Sequence, residues 1–561
     1  MTNEEITEML ALVASLMEIN DENTFKSDAY RRAVYNLERQ SAPLFQLSDE
    51  AIYKLDGVGK SIALSIIQIK ETGTCEELDR LRALIPSGVM AMLNINGIGP
   101  KKIRAIWKEL LIENKSDLLE ACRSGRVAQQ KGFGEKTQKM IEANLLYELG
   151  QAGKLRLDQA LSTSQALKDT LLKIFDNVED AGPVYSKQEI VEGLEFFIAA
   201  DDYVAVQKQL ETVAVLNKHH KHSSPFIWRG TLKDTAIRVK ITTVPATRMM
   251  AERYVSSAAE AHLSEIVEGR ETLLDYLKSN SILKEVELFE KLNMPYIAPE
   301  IREGMGEWQM AKEQTLPNLI KYEDLKGPLH NHSTWSDGRH TLEEMAQYCM
   351  AQGWMYLGIS DHSQSAIYAN GLYPERVLAQ HKEIDALNTT FNEFKIFKGI
   401  ESDILGDGDL DYEPYILKNF DYIVASIHSG LSMDESKATS RLIKAVENPY
   451  TTILGHPTGR LLLKRQGYPV DFYRVIDACA ANHVAIEINS NPWRLDMSWK
   501  YIKYALDKGV KIAICPDAHE NEGFADMQYG VWMGRKGFLS AENCINCMST
   551  SELQAYFNSK K

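Results

Sequence analysis

Over the first 150 positions apolar residues recur every three or four places, in short stretches broken by glycine-bearing turns. This pattern predicts a series of short amphipathic helices. Between 155 and 245 the pattern becomes mixed, and Glu195-Phe196-Phe197-Ile198 and Ala236-Ile237-Arg238-Val239 read as strands among helical stretches. Helical spacing returns over 246–290. A proline-broken loop follows at 294–300, then a linker with one helical turn over 300–325. From 326 to 561 short apolar runs, at 355–360, 422–426, 452–455, 484–488 and 512–515, alternate with amphipathic helices. Such an alternation fits a parallel sheet closed into a barrel. The expected division is 1–85, 86–150, 151–245, 246–325 and 326–561.

Composition changes this picture little. A chain of 561 residues accommodates several domains, and 44% hydrophobic with 25% charged residues is ordinary for a globular protein. A net charge of −15 excludes a uniformly basic coat but not a local basic face. One such face is indicated over 91–140, where ten Lys and Arg stand against five Asp and Glu. The seven cysteines are scattered, and the single C-x-x-C of Cys544 and Cys547 has no second pair nearby, which favours reduced thiols over a structural zinc. The N-terminal MTNEEITEML lacks the apolar stretch of a signal peptide, and no apolar run has a membrane helix's length. A cytoplasmic protein with no membrane partner is expected.

Two turns share one form. The first is Leu55-Asp56-Gly57-Val58-Gly59-Lys60, and the second is Ile95-Asn96-Gly97-Ile98-Gly99-Pro100-Lys101-Lys102; a weaker third lies at 131–137. Each joins apolar helical stretches through a tight glycine hairpin. The hairpin aims backbone N–H groups outward at the start of a helix, where they can hold a DNA phosphate without reading bases. Two copies followed by lysines favour DNA binding, through Gly57, Gly59, Lys60, Gly97, Gly99, Lys101 and Lys102, over a ligand-free helix joint.

The most specific chemistry lies further on. His330, His332, Asp337, His362, Glu401, His428, His456, Asp517 and His519 comprise six of the chain's 13 histidines and three carboxylates. Most follow a predicted strand within a few residues, and side chains at the C-terminal ends of barrel strands converge on one mouth. His330 and His332, two apart, project to the same side. Mixed nitrogen and oxygen donors suit manganese, zinc or iron, and a cluster of such ions suits hydrolysis of phosphate esters. Arg460, four residues after His456, is a candidate bidentate donor to a substrate phosphate, its alternative being an ordinary ion pair. His219, His220 and His222 read as a solvated loop, and His340, His381 and His483 as helix or surface positions.

Taken with Phe25-Lys26-Ser27-Asp28-Ala29-Tyr30-Arg31-Arg32-Ala33, the stretch Pro295-Tyr296-Ile297-Ala298-Pro299-Glu300-Ile301-Arg302-Glu303-Gly304 and the run His330-Asn331-His332-Ser333-Thr334-Trp335-Ser336-Asp337-Gly338, the chain resembles the bacterial X-family DNA polymerases fused to a C-terminal PHP (polymerase and histidinol phosphatase) domain. The resemblance implies a multidomain α/β protein: lyase-like and fingers-like helix-hairpin-helix domains, palm, thumb, and a distorted (β/α)7 PHP barrel. It also implies three divalent ions, the first on His330, His332, Glu401 and Asp517, the second on bridging Glu401 with His428 and His456, the third on Asp337, His362 and His519.

The palm departs from the family. The family's Gly-Ser turn reads Gly182-Pro183, its Asp-x-Asp reads Gly193-Leu194-Glu195, and Lys240 stands at the third carboxylate. The thumb's Gly-Ser motif is missing from Tyr254-Val255-Ser256-Ser257-Ala258-Ala259, and Ser65 stands where the lyase lysine belongs. Without three carboxylates two magnesium ions are not clamped, so nucleotide transfer is expected to be lost. The expected function is metal-dependent 3′→5′ exonuclease or 3′-phosphatase action in DNA repair, on gapped, nicked or single-stranded 3′ ends. The alternatives are a small-molecule phosphatase, a DNA-binding scaffold and a still-active polymerase.

Overall fold

The computed structural model describes residues 3–37, 44–95, 97–267, 269 and 271–560. Asn96, in the second glycine turn, lies outside the described residues. The chain forms two compact units, 1–151 and 152–561.

The first unit is helical around one apolar core that includes Ile6, Leu10, Val13, Ile62, Ile66, Leu81, Ile103 and Ile141. Its two main hairpins lead into the helices Lys60–Thr72 and Pro100–Lys108, which begin directly after Gly59 and Gly99. Gly57 and Gly97 have φ of 71° and 83°, the left-handed region that glycine enters without a Cβ clash. A Cβ on Gly57 would also lie 2.6 Å from the Asn36 amide nitrogen, whereas nothing lies within 4 Å of one built on Gly59 or Gly99. The first glycine of each pair therefore makes the turn, and the second leaves the helix start open.

The second unit begins with a five-stranded sheet in the order Val178–Ala181, Leu194–Ala199, Arg238–Val244, Ile227–Leu232, Leu216–Lys218. Its two central strands run parallel and its other neighbours antiparallel. The predicted strand at Ala236 starts instead at Arg238, because Thr235 and Ile237 belong to the turn entering it. Phe196, Ile198, Trp228, Val239 and Ile241 cover the buried face. Next come short helices organised by buried polar groups. Tyr254 OH lies 2.8 Å from His262 Nε2, and His262 Nδ1 lies 2.7 Å from Glu307. The fully buried Arg302 donates to Glu285 at 2.5 Å and stacks on Tyr254 at 3.9 Å. These contacts explain why the 295–304 stretch carries so many specific residues.

The last region holds six parallel strands in sequential order: Tyr356–Ile359, Lys395–Asp403, Tyr422–Ser426, Ile453–Leu454, Ala485–Asn489 and Ile512–Cys515. They are buried on both faces, as parallel strands covered by helices must be. The ring closes through an irregular seventh stave, residues 328–332. Gly358 and Ser360 donate to Pro328 and Asn331 on one side, and His332 donates to Ala518 on the other, at 2.8–2.9 Å. His330, at φ 60°, breaks the regular strand there. This is the distorted seven-stave barrel that the resemblance implies. His381 lies on a helix but is buried against Phe420, 5.0 Å between ring centres. No helix among the described residues is long and apolar enough to cross a membrane.

The floor of the barrel is apolar: Leu329, Tyr356, Phe397, Tyr422, Ile545, Leu553 and Phe557 form one cluster. Phe557, from the helix Thr550–Asn558, stacks on Tyr422 at 4.9 Å and meets Phe397 edge-on at 5.4 Å. Truncating a fully buried aromatic of this kind costs about 3–5 kcal/mol. Phe557→Ala should lower the urea midpoint of barrel unfolding accordingly, with the slope unchanged. A loss below about 1 kcal/mol would show that the helix does not hold the floor.

Candidate metal centre

All nine predicted residues meet at the C-terminal mouth of the barrel. His362, His428, His456, Asp517 and His519 follow strands directly, Glu401 ends the Lys395–Asp403 strand, and His330, His332 and Asp337 come from the closing stave and its turn. His330 and Asp517 adopt φ of 60° and 54°, a conformation costly for residues with a Cβ and common where function dictates side-chain aim.

Glu401 is the hub. Its Oε1 lies 2.9 Å from His456 Nε2, 3.1 Å from His428 Nε2 and 3.2 Å from His330 Nε2; its Oε2 lies 2.9 Å from His362 Nδ1 and 3.7 Å from His332 Nε2. Asp517 approaches His332 at 3.0 Å and His330 at 3.6 Å. Asp337 lies 3.4 Å from His519 and 3.6 Å from His362. Four overlapping groups can each hold a cation, their donor atoms within 4.8 Å of one another: His332, Asp337, His362, His519; His330, His332, Asp517; His330, Glu401, His456; and His362, Glu401, His428. Several of these buried atoms, namely His330 Nε2, His332 Nδ1, His362 Nδ1 and Glu401 Oε2, make no well-angled hydrogen bond despite the short approaches. Native proteins rarely leave such atoms orphaned, so the residues fit divalent ions.

A second layer escapes sequence inspection. Glu487, fully buried on the Ala485–Asn489 strand, receives His330 Nδ1 at 2.6 Å and the His456 amide at 2.5 Å. Asp403 holds His428 Nδ1. Asn489 donates to Asp517 at 3.1 Å. Such partners fix the tautomer and aim of ligating groups. Their only sequence signal is a carboxylate or amide on an otherwise apolar strand. Arg494, also missed, brings its Nε to 3.6 Å from Asp517. For Arg460 the structure shows the ion-pair alternative: its guanidinium bonds Glu189, at 2.7 and 3.1 Å, and the carbonyls of Arg494 and Leu495.

The centre is strongly polarised. Burial alone would raise the Glu401 carboxyl, but His428, His330 and His362 outweigh it and hold the group well below the carboxylate range. Burial opposes charge on His428, yet Glu401 and Asp403 raise it to about 10; on His519 the Asp337 carboxylate likewise wins, giving about 9. Burial, with His519 and His362 beside it, drops His332 to about 3.

The other predicted residues fall elsewhere. In the five-stranded sheet Glu195 and Lys240 are register partners on adjacent parallel strands and form an ion pair at 2.9 Å. A Cβ on Gly193 would press on the Arg238 backbone and Cβ at 3.1 Å, so that position has little room for an aspartate. Ser257 accepts the Gly182 amide at 2.8 Å. Ser65 is buried and lies 3.0 Å from the Tyr30 hydroxyl. In the helical unit Lys60 and Lys101 are exposed, while Lys102 sits 5.9 Å over the Phe133 ring.

His428 and His519 are raised to about 10 and 9, and on His330 burial is outweighed by Glu487, Glu401 and Asp517, which hold it well above the usual imidazole range. All three are therefore protonated at neutral pH before ions bind, and ligation requires their neutral rings. Metal uptake at pH 7 should therefore release about three protons, seen calorimetrically as heats that vary with the buffer's ionisation enthalpy. Affinity should climb from pH 6 to pH 9. Buffer-independent heats would contradict this electrostatic account.

Comparison with known proteins agrees with the geometry. The PHP domain family matches residues 328–491, a helix-hairpin-helix domain family residues 1–75, and a SAM-like helix-hairpin-helix tandem residues 89–143. A probable phosphatase of Thermoanaerobacter sp. (strain X514) is 26% identical over 243 residues, covering 41% of this chain and 94% of its own. A probable phosphatase of Clostridium acetobutylicum is 30% identical over 204 residues, covering 34% and 78%. The DNA polymerase/3′-5′ exonuclease PolX of Bacillus subtilis (strain 168) is 33% identical over 576 residues, covering 99% of both chains. Helix-hairpin-helix turns, a palm-like sheet and a histidine-lined PHP barrel, matched end to end by such a relative, place this chain in the bacterial PolX family of X-family DNA polymerases with a C-terminal PHP domain.

Proposed function

We propose that this chain is a DNA-binding, cation-dependent phosphoesterase of DNA repair, a 3′→5′ exonuclease or 3′-phosphatase, in which nucleotide transfer has been lost. One observation carries the reading: nine donor residues, Glu401 among them, converge at the barrel mouth, while the palm positions that would clamp magnesium hold the Glu195–Lys240 ion pair. The reading uses five segments, lyase-like 1–85, fingers-like 86–150, palm 151–245, thumb and linker 246–325, and PHP barrel 326–561.

His330, His332, Glu401 and Asp517 would hold one ion; Glu401, His428 and His456 a second; Asp337, His362 and His519 a third. Manganese, zinc or iron suits these donors. When bound, the ions supply an activated water and neutralise charge building on the phosphate. The chain supplies the rest. Glu487 and Asp403 hold imidazoles in the orientation that presents Nε2 to the centre. Arg494, beside Asp517 and about one-fifth exposed, is placed to pair with a phosphate oxygen, the role that Arg460 is not free to fill. DNA phosphates would rest on the open helix starts at Gly59 and Gly99, with Gly57 and Gly97 shaping the turns and Lys60, Lys101 and Lys102 adding charge. Gapped, nicked or single-stranded 3′ ends suit such an enzyme.

The probable phosphatases among the relatives favour a second reading, hydrolysis of a small phosphate ester, for which the helical unit would be idle. The relative from Bacillus subtilis also bears the name of a polymerase. 5′-labelled DNA separates these readings. With manganese the strand should shorten or lose its 3′ phosphate, added nucleotides should produce no extension, and His330→Ala should bring activity to background. Extension by the His330→Ala protein would overturn the loss of nucleotide transfer. In fluorescence anisotropy titrations, Lys60→Ala and Lys101→Ala should each weaken binding alike on all sequences and reduce the salt slope by about 1. Unaltered slopes would remove the hairpins from the binding face.

A further inference from the structure

The loop between the Ala485–Asn489 strand and Met497 carries Arg494 to the metal centre, and the palm-like region grips it at two places. At the first, Glu189 binds Arg460 in a two-pronged ion pair with side chains 19% and 15% exposed. Arg460 then reaches the loop backbone, its Nε 2.9 Å from the Arg494 carbonyl and a terminal nitrogen on the Leu495 carbonyl. At the second, Arg156 lies flat on Trp493 at 3.6 Å, its own guanidinium fixed by Asp158 at 2.8 and 3.1 Å. The segment that presents Glu189 is itself anchored: the buried Lys536 ammonium donates to the Ser186 carbonyl at 2.9 Å and to Glu303 at 2.5 Å, and Gln188 donates to Glu303 at 2.6 Å.

We propose that the palm-like region is a positioning element of the metal centre: Glu189 aligns Arg460, and Arg460, together with the Arg156–Trp493 stack, sets the 489–497 loop so that Arg494 meets the substrate phosphate. The proposal rests on the phosphoesterase reading for the role of Arg494. A guanidinium is a rigid fork, so a carboxylate on one edge dictates where its other N–H groups point. Here those groups hold the two carbonyls flanking the Arg494–Leu495 junction. The barrel adds its own ties, Thr458 to the Asp496 carboxylate at 2.9 Å and Leu462 to the Trp493 carbonyl at 2.6 Å. These hold the loop's far end and its middle; among the described residues only Arg460 holds both carbonyls beside the Arg494 side chain. Without Glu189 the Arg460 guanidinium loses the carboxylate that orients its fork, so the aim of its bonds to the two carbonyls is no longer set. Loss of about 1 Å in the placement of a phosphate-binding group costs up to roughly 100-fold in rate. On this view a sheet that no longer joins nucleotides acts as a brace.

The test is a double-mutant cycle in the full-length protein. Glu189→Ala should lower kcat/KM for manganese-dependent hydrolysis roughly tenfold, and Arg494→Ala roughly 100-fold. The double variant should lose no more than Arg494→Ala alone, since a brace has nothing left to position. Hydrogen exchange at the amides of 491–497 should quicken in Glu189→Ala while other barrel amides keep their rates; Glu189→Gln serves as the milder variant if the alanine protein folds poorly. Losses that multiply in the double variant overturn the proposal, because a general structural defect behaves so. Unchanged exchange with unchanged kinetics overturns it too. A parent protein with no manganese-dependent hydrolysis, yet with faster exchange in the Glu189 variant, sinks the phosphoesterase reading and leaves the mechanical link standing.

Discussion

A carboxylate buried as deeply as Glu401, with 1% of its surface exposed, cannot stay charged on its own. Five imidazoles surround it, and most of the barrel's irregularities serve that arrangement. The closing stave gives up regular strand geometry to turn His330 inward. Asp517 takes the same unusual backbone region to face the same point. Glu487 and Asp403 then balance the imidazoles from behind, so charge alternates outward from the hub in shells. The Tyr254, His262, Glu307 and Arg302 groups solve the same problem in the thumb-like region, where burial of each charge is matched by a close partner. The orphan atom within that network, Arg302 Nη1, is an N–H donor with no lone pair to offer a cation. At the barrel mouth the orphans are imidazole nitrogens and a carboxylate oxygen, which can ligate one.

Much of this was legible in the sequence, for physical reasons. Barrel ligands lie just past apolar strands, so position along the chain already encodes position in space. The glycine turns were legible because a left-handed residue followed by an open helix start needs glycine in a fixed order. Glu487 and Asp403 were not, since a carboxylate on a strand acquires meaning only once its neighbours are known. For Arg460 the sequence left two roles open, and could not name the ion-pair partner, for a related reason. Its partner Glu189 lies 271 positions earlier, and no local pattern links the two. The seventh stave, where His330 and His332 read as two positions of one strand, proves irregular: its pairing runs through single hydrogen bonds and His330 leaves strand geometry.

The two carboxylate sites of the chain now stand in opposite states. One accumulates more negative and donor groups than protein alone can satisfy. The other, Glu195, is neutralised by Lys240 within its own sheet, and the segment before that strand reaches the barrel through Glu189 and Arg460. The two ion pairs sit in adjacent segments, Leu194–Ala199 carrying Glu195 and the preceding residues carrying Glu189.

The Glu195–Lys240 pair also bears on how such a chain can change over generations. Replacing Lys240 by aspartate would set two carboxylates side by side on parallel strands with no cation between them. Replacing Gly193 first would drive a side chain against the Arg238 backbone. Either first step is destabilising, and neither restores a metal clamp until the others are in place. Single substitutions at this pair therefore cost stability without bringing three carboxylates together.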